Sequence, residues 1–113
     1  MKGPQPLKPL VVDVDLRLVQ QGRREVPMSP MEFNLLVYLA QRRERVVSRA
    51  ELLSKVWRHP EDIGVDTRTV DSHISRLRHK LGDGAVRTVR AHGYVLTTTL
   101  PVKLTGAQDT ERR

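Results

Sequence analysis

Between residues 10 and 18 apolar side chains recur at every second position, as Leu10, Val12, Val14, Leu16 and Leu18. This period-2 alternation predicts strand with one buried face. Asp13 and Asp15 fall on the opposite face as solvated strand residues, and they can bend the run into two short strands. Gly22 supplies a turn, and "REVPM" at 24–28 reads as a further strand that Pro27 pushes towards a sheet edge. The start of the patterned chain is therefore expected to form a small antiparallel sheet with room for three strands.

The period then becomes helical. Ser29 is placed to cap a helix, Pro30 fits its first position and Glu32 completes a capping box, after which Phe33, Leu36, Leu39 and Ala40 form an apolar stripe. Ser48 and Glu51 repeat the box ahead of Leu52, Leu53, Val56 and Trp57. Pro60 and Gly64 make 58–66 a loop. Asp66 or Thr67 then caps a third helix over 67–81, where Val70, Ile74, Leu77 and Leu81 share one face and Gly82 ends the element. "VRTV" and "YVLTTT" flank "RAHG" at 90–93 and predict a β-hairpin. The expected fold is α+β in the order sheet, three helices, hairpin. It occupies residues 10–100, between a proline-rich flexible linker at 1–9 and a polar tail at 101–113 expected to be disordered.

Composition narrows the functional classes. A chain of 113 residues holds one domain. The absence of cysteine excludes disulfides and thiolate metal sites. No run approaches the roughly 18 apolar residues of a membrane span, and the N-terminus lacks the apolar stretch of a signal peptide, so a cytoplasmic protein without a membrane partner is expected. The formal net charge of +7 and sequence pI near 10.6 point to a polyanionic partner.

The placement of the cations sharpens this expectation. With its stripe packed inward, the third helix shows Arg68, Ser72, Ser75, Arg76 and His79 outward, with Thr69, His73 and Lys80 beside them. A helix fits the DNA major groove, where arginine bonds guanine through two hydrogen bonds, and short hydroxyl side chains let the backbone approach the bases. Flanking cations can take phosphates and so position the helix. On the hairpin, Arg87, Arg90 and His92 place positive charge where a narrow minor groove attracts it. Asp71-Ser72-His73 contains the residue types of a hydrolase triad, but consecutive helical side chains point about 100° apart and cannot converge. Asp71 reads instead as a partner for a nearby arginine. His59, His73, His79 and His92 show no i, i+4 pairing, so no metal, cofactor or enzymatic site is expected. Two other readings stay open: a protein-interaction module, since a scaffold alone does not dictate its partner, and a non-specific nucleic-acid binder. The latter would want aromatic stacking platforms, for which Tyr38 and Tyr94 alone remain.

Taken together, "SPMEFNLLVYLA", "VVSRAELLSKVW", "RTVDSHISRLRHKLG" and "VRTVRAHGYVL" resemble the OmpR/PhoB-type effector domain of bacterial two-component response regulators, from about Leu10 to Thr98. The resemblance implies a winged helix-turn-helix that binds double-stranded DNA for transcription regulation, with helix 67–81 in the major groove and a wing at 86–98 on the adjacent minor groove. It implies Arg76 as base reader with Ser72 and Ser75 close to bases. Arg49, Trp57, Arg68, Thr69, His73, Arg78 and Lys80 are then expected at phosphates, and Arg87, Thr88, Arg90 and His92 on the wing. It further implies head-to-tail dimers on direct-repeat DNA and an RNA polymerase contact through loop 58–66. The chain departs from the family pattern in Ala91, which replaces the first wing glycine, in Ser75, where arginine is frequent, and in three clear N-terminal strands where four are common. No stretch upstream has the length of a phosphoacceptor receiver domain, so the chain is expected to be either a fragment or a regulator controlled in another way.

Overall fold

The computed structural model describes residues 7–58, 64–97 and 99–106. Strands β1 (Leu10–Asp13), β2 (Leu18–Gln21) and β3 (Arg24–Glu25) are followed by helices α1 (Pro30–Gln41), α2 (Arg49–Val56) and α3 (Thr67–Leu81). The wing strands β4 (Val86–Val89) and β5 (Gly93–Leu96) come next, and β6 (Val102–Thr105) is the last element among the described residues. No helix among the described residues is long and apolar enough to cross a membrane.

β1, β2 and β3 pair antiparallel in sequence order, with β3 at the edge as Pro27 predicts. The expected alternation holds only as far as Val12. The Asp13 carboxylate accepts the N–H groups of Asp15 and Leu16 at 3.0 and 2.9 Å, and Arg17 follows at a φ of +55°. Asp13, the last residue of β1, thus starts the turn that divides the run into two short strands, as expected, using the local side-chain hydrogen bonding that favours aspartate in turns. The turn changes the parity of the chain. Val19 and Gln21 point inward on β2, while Leu16 and Leu18 are left 67% and 40% exposed.

The tail expected to be disordered from residue 101 instead supplies a strand. β6 lies parallel to β1, with Leu10 opposite Val102 and Asp13 opposite Thr105, and makes the sheet four-stranded in the order β3-β2-β1-β6. Val102 and Leu104 pack against the core, and Leu10 N–H donates to the Pro101 carbonyl at 2.9 Å. Arg43 holds the connection by donating to the carbonyls of Thr97 and Leu100, the latter at 2.6 Å. Leu7, assigned to the linker, also packs on the core. The remainder of the linker, 1–6, and of the tail, 107–113, lies outside the described residues.

The helices form where their caps predict. At α1 the Ser29 hydroxyl accepts from Glu32 N–H while Glu32 accepts from Ser29 N–H, and Phe33, Leu36, Leu39 and Ala40 are buried. At α2 only half of the expected box forms in that way. Ser48 accepts from Glu51 N–H, but the Glu51 carboxylate turns to Tyr38 and Arg45. Leu52 and Val56 are buried, Leu53 is half-buried, and Trp57 is the residue that ends the helix. Asp66 caps α3, and Val70, Ile74 and Leu77 are fully shielded with Leu81 at 2% exposure. Burial of such side chains stabilises by about 1.5–3 kcal/mol each, so this stripe fixes which face α3 turns outward.

The hairpin β4–β5 is docked by a backbone pair between Val47 and Tyr94, whose N–H···O distances are 2.8 and 2.9 Å. Gly93 makes the docking possible. Its φ is +141°, and a Cβ there would stand 2.1 Å from the Val47 carbonyl oxygen. At the tip His92 N–H closes on the Val89 carbonyl at 2.8 Å, and Ala91 takes a φ of +68°, the sign a type II turn requires of its third residue. The alanine adopts the conformation that a glycine would take more cheaply.

Candidate nucleic-acid interface

With the apolar stripe buried, α3 presents Arg68, Ser72, Ser75, Arg76 and His79 to solvent, with Thr69 and His73 half-buried at the margin. The Ser72 hydroxyl donates to the Arg68 carbonyl at 3.1 Å, which leaves its oxygen lone pairs facing outward. Arg68 reaches back to its capping Asp66 at 3.2 Å, yet its side chain stays 88% exposed. His73 is built in more firmly. Its Nδ1 lies 2.9 Å from the Thr69 carbonyl, its ring meets Trp57 edge-on at 5.0 Å, and its Nε2 is 3.4 Å from Arg76 Nη1. A carbonyl only accepts, so Nδ1 carries a proton, and Nε2 is the ring nitrogen turned outward beside Arg76.

The one carboxylate on α3 is neutralised within the fold. Asp71 takes two hydrogen bonds from Arg49 at 3.0 and 2.8 Å and one from the Tyr94 hydroxyl at 2.6 Å. These bonds raise the Arg49 guanidinium above its ordinary value, and burial together with Asp71 raises the Tyr94 phenol. The cluster ties the start of α2, the middle of α3 and β5 together. Asp71 therefore serves the arginine-partner role read from the sequence, and Tyr94 is a structural tyrosine rather than a stacking platform.

Three residues expected at phosphates are engaged elsewhere. Lys80 donates to Glu32 Oε1 at 2.5 Å and to the Pro27 carbonyl at 2.9 Å. Burial pushes the Glu32 carboxyl up, but the bonds from Lys80 and Ser29 outweigh it and hold the group below the usual carboxylate range. Trp57 is 7% exposed and buttresses His73. Arg78 donates to the Val86 carbonyl and the Thr88 hydroxyl, both on the wing. For the two cations, tertiary acceptors take up the charged group.

The wing carries Arg87, Arg90 and His92 exposed, as expected. The fold also forms a shallow cleft of about 400 Å³ between the wing and the start of α2, lined by Ser48, Arg49, Arg90, His92 and neighbours. It carries cations and no carboxylate, and it opens at a helix N-terminus, where backbone N–H groups favour anions. Ser48 was singled out only as a cap, because nothing local shows that 48 and 92 come together. The loop expected to meet RNA polymerase has residues 59–63 outside the described residues.

This arrangement matches known proteins over most of its length. Residues 23–96 match the family described as Transcriptional regulatory protein, C terminal. The chain belongs to that family. Its relatives include the phosphate regulon transcriptional regulatory protein PhoB of Rhizobium meliloti, 45% identical over 89 residues covering 75% of this chain and 38% of the relative. The transcriptional regulatory protein CseB of Streptomyces coelicolor is 41% identical over 87 residues, 77% of this chain and 36% of CseB. The chain thus spans little more than a third of the curated relatives it matches. Among solved structures, the Klebsiella pneumoniae RstA DNA-binding domain in complex with the RstA box superposes with a TM-score of 0.69 at 35% identity, covering 80% of this chain and 93% of that one. The DNA-binding domain of Escherichia coli CadC gives 0.71 at 29% identity, covering 88% and 96%. The winged-helix architecture is therefore shared with DNA-binding domains of known structure.

Proposed function

We propose that this domain binds double-stranded DNA in a sequence-specific manner to regulate transcription, with α3 in the major groove and the wing at the adjacent minor groove. The observation that carries the reading is the outer face of α3. It combines exposed Arg68, Ser72, Ser75 and Arg76 with a carboxylate already neutralised by Arg49 and Tyr94, on a helix whose orientation four buried apolar side chains fix. Arg76 reads a base, with the N–H fork suited to guanine O6 and N7. Ser72 offers lone pairs to an adenine or cytosine amino group, and Ser75 leaves room for close approach. Arg68, Thr69, His73 and Arg49 take phosphates, while Arg87, Arg90, His92 and the free side of Thr88 meet the minor groove and its backbone.

The same reading has two copies on a direct repeat, head to tail, in the cytoplasm, as part of a longer phosphorelay-controlled regulator that acts without enzymatic chemistry in this domain. Loop 58–66 then faces RNA polymerase. Selection of bound duplexes from a random library at near-physiological salt tests the proposal. Enrichment of two similar half-sites about one helical turn (~10 bp) apart supports it. Binding that enriches no sequence and collapses as salt rises overturns it, because that is charge without readout.

A further inference from the structure

We infer that Arg78 is the positioning residue that sets the wing against the recognition helix, and with it the base preference the wing contributes, rather than a ligand for DNA phosphate. The inference rests on the DNA-binding reading above, but its observations are internal to the fold. β5 lies between two neighbours: Tyr94 spends its backbone N–H and carbonyl on Val47, on the side away from β4. Thr88 faces Tyr94 and Val86 faces Leu96 across the hairpin, so with Tyr94 bonded to Val47 these are the pairs without mutual backbone bonds. The Val86 carbonyl consequently points off the free edge of β4, and an edge carbonyl left there needs a donor.

Arg78 supplies it from the last turn of α3. Its Nε–H donates to the Val86 carbonyl at 2.9 Å, and an Nη2 proton goes to the Thr88 hydroxyl at 2.7 Å. The guanidinium carbon stands 5.7 Å from the Tyr94 ring centre, so the group touches both wing strands. Two bonds from one planar fork set an angle as well as a distance, which a lysine ammonium cannot reproduce. Thr88, with its oxygen occupied as an acceptor, keeps its own proton free to point outward. Arg90 sits two residues further along the same strand direction, at the turn. Its reach into a minor groove therefore depends on how Arg78 anchors the base of the hairpin.

The two roles differ in what they predict. A phosphate ligand acts alike on all sequences, and its removal lowers the slope of log Kobs against log salt by about 0.9. A positioning residue alters preference at the positions the wing reads and leaves those read by α3 unchanged. The test selects duplexes with the wild-type domain and with Arg78→Lys, Arg78→Gln and Thr88→Val, and measures the salt slope of each on the wild-type site. We expect all three variants to lose about tenfold in preference on the wing side, within the range a base contact contributes, with preference at the Arg76-read position unchanged and no rescue by lysine. Recovery of the wild-type profile by Arg78→Lys, with Arg78→Gln weakening every sequence alike and flattening the slope by about 0.9, would overturn the inference. If the arginine variants fold poorly, amide exchange of free Thr88→Val keeps the test open, because Thr88 also faces DNA and its binding profile alone does not separate the roles: faster exchange over 86–89 with α1 unchanged supports the anchor, and unchanged exchange overturns it. If the wild-type domain enriches no sequence, the DNA-binding reading fails by itself, and amide exchange of the free protein decides on Arg78. Faster exchange over 86–89 and 93–96 in Arg78→Gln, with α1 unchanged, supports the anchor, and unchanged exchange overturns it.

Discussion

Replacing Lys80 by alanine removes the ammonium that donates to Glu32 at 2.5 Å and to the Pro27 carbonyl at 2.9 Å. Glu32 has a side chain 5% exposed and keeps only the Ser29 N–H as its remaining bond in the capping box. A charge-assisted hydrogen bond contributes about 1.5–3 kcal/mol when shielded, and a neutral one about 0.5–1.5. The Lys80 side chain is 31% exposed, so solvent screening brings the ion pair to roughly 1–2 kcal/mol and the total to about 2–3. For a domain of this size that is a fall in Tm of roughly 10–20 °C. Urea denaturation measures it as a lower midpoint at unchanged m. The sign of the pH dependence adds a second check. Glu32 has a lowered folded-state pKa, so its contribution is present above the ordinary carboxylate range and is lost as pH falls through and below it. Lys80→Ala removes that lowering, and the variant loses less stability on acidification than the wild type. A midpoint equal to wild type, with the DNA salt slope reduced by about 0.9, would refute the structural role and restore Lys80 as a phosphate ligand.

Other consequences follow from the wing and the second helix. Gly93→Ala places a Cβ against the Val47 carbonyl at a φ alanine rarely adopts, and should cost about 2–4 kcal/mol with faster amide exchange at Val47 and Tyr94. A change below about 0.5 kcal/mol would show that the wing does not need this approach. Ala91→Gly relieves a positive φ that costs an L-residue about 1–2 kcal/mol, against a smaller loss of chain entropy, and should raise stability by roughly 0.5–1 kcal/mol. Destabilisation there would mean that the methyl group packs productively. Glu51 is held at a pKa of about 2, chiefly by Arg45 and then Tyr38, so its stabilising part is present above about pH 4.5 and lost as pH falls towards 2. Glu51→Gln should flatten the acid limb of the stability curve in that window, and an unchanged limb would contradict the assignment.

The helices, their caps and the inward stripes were legible because each depends on residues within a few positions. The outward face of α3 followed from the stripe by subtraction. What could not be read depends on partners far along the chain. Val102 and Leu104 form too short an alternation to predict a strand, and only their pairing with β1 makes them one. The apolar run 10–18 misled because the Asp13 turn changed its parity without interrupting it. Lys80 lay beside the outward face on a helical wheel, and the resemblance placed Trp57 and Arg78 at phosphates, but Glu32, His73 and the wing strands are their partners in the fold. The basic cleft between Ser48 and His92 had no sequence signal for the same reason.

The central claim is that α3 reads bases through Arg76. Selection profiles of the wild-type domain and Arg76→Ala, taken side by side at one salt concentration, test it most directly. The account predicts that preference collapses at a single position, by the roughly 1–3 kcal/mol of one two-bond base contact, with the rest of the site retained. A uniform loss of affinity with every preference intact would contradict it.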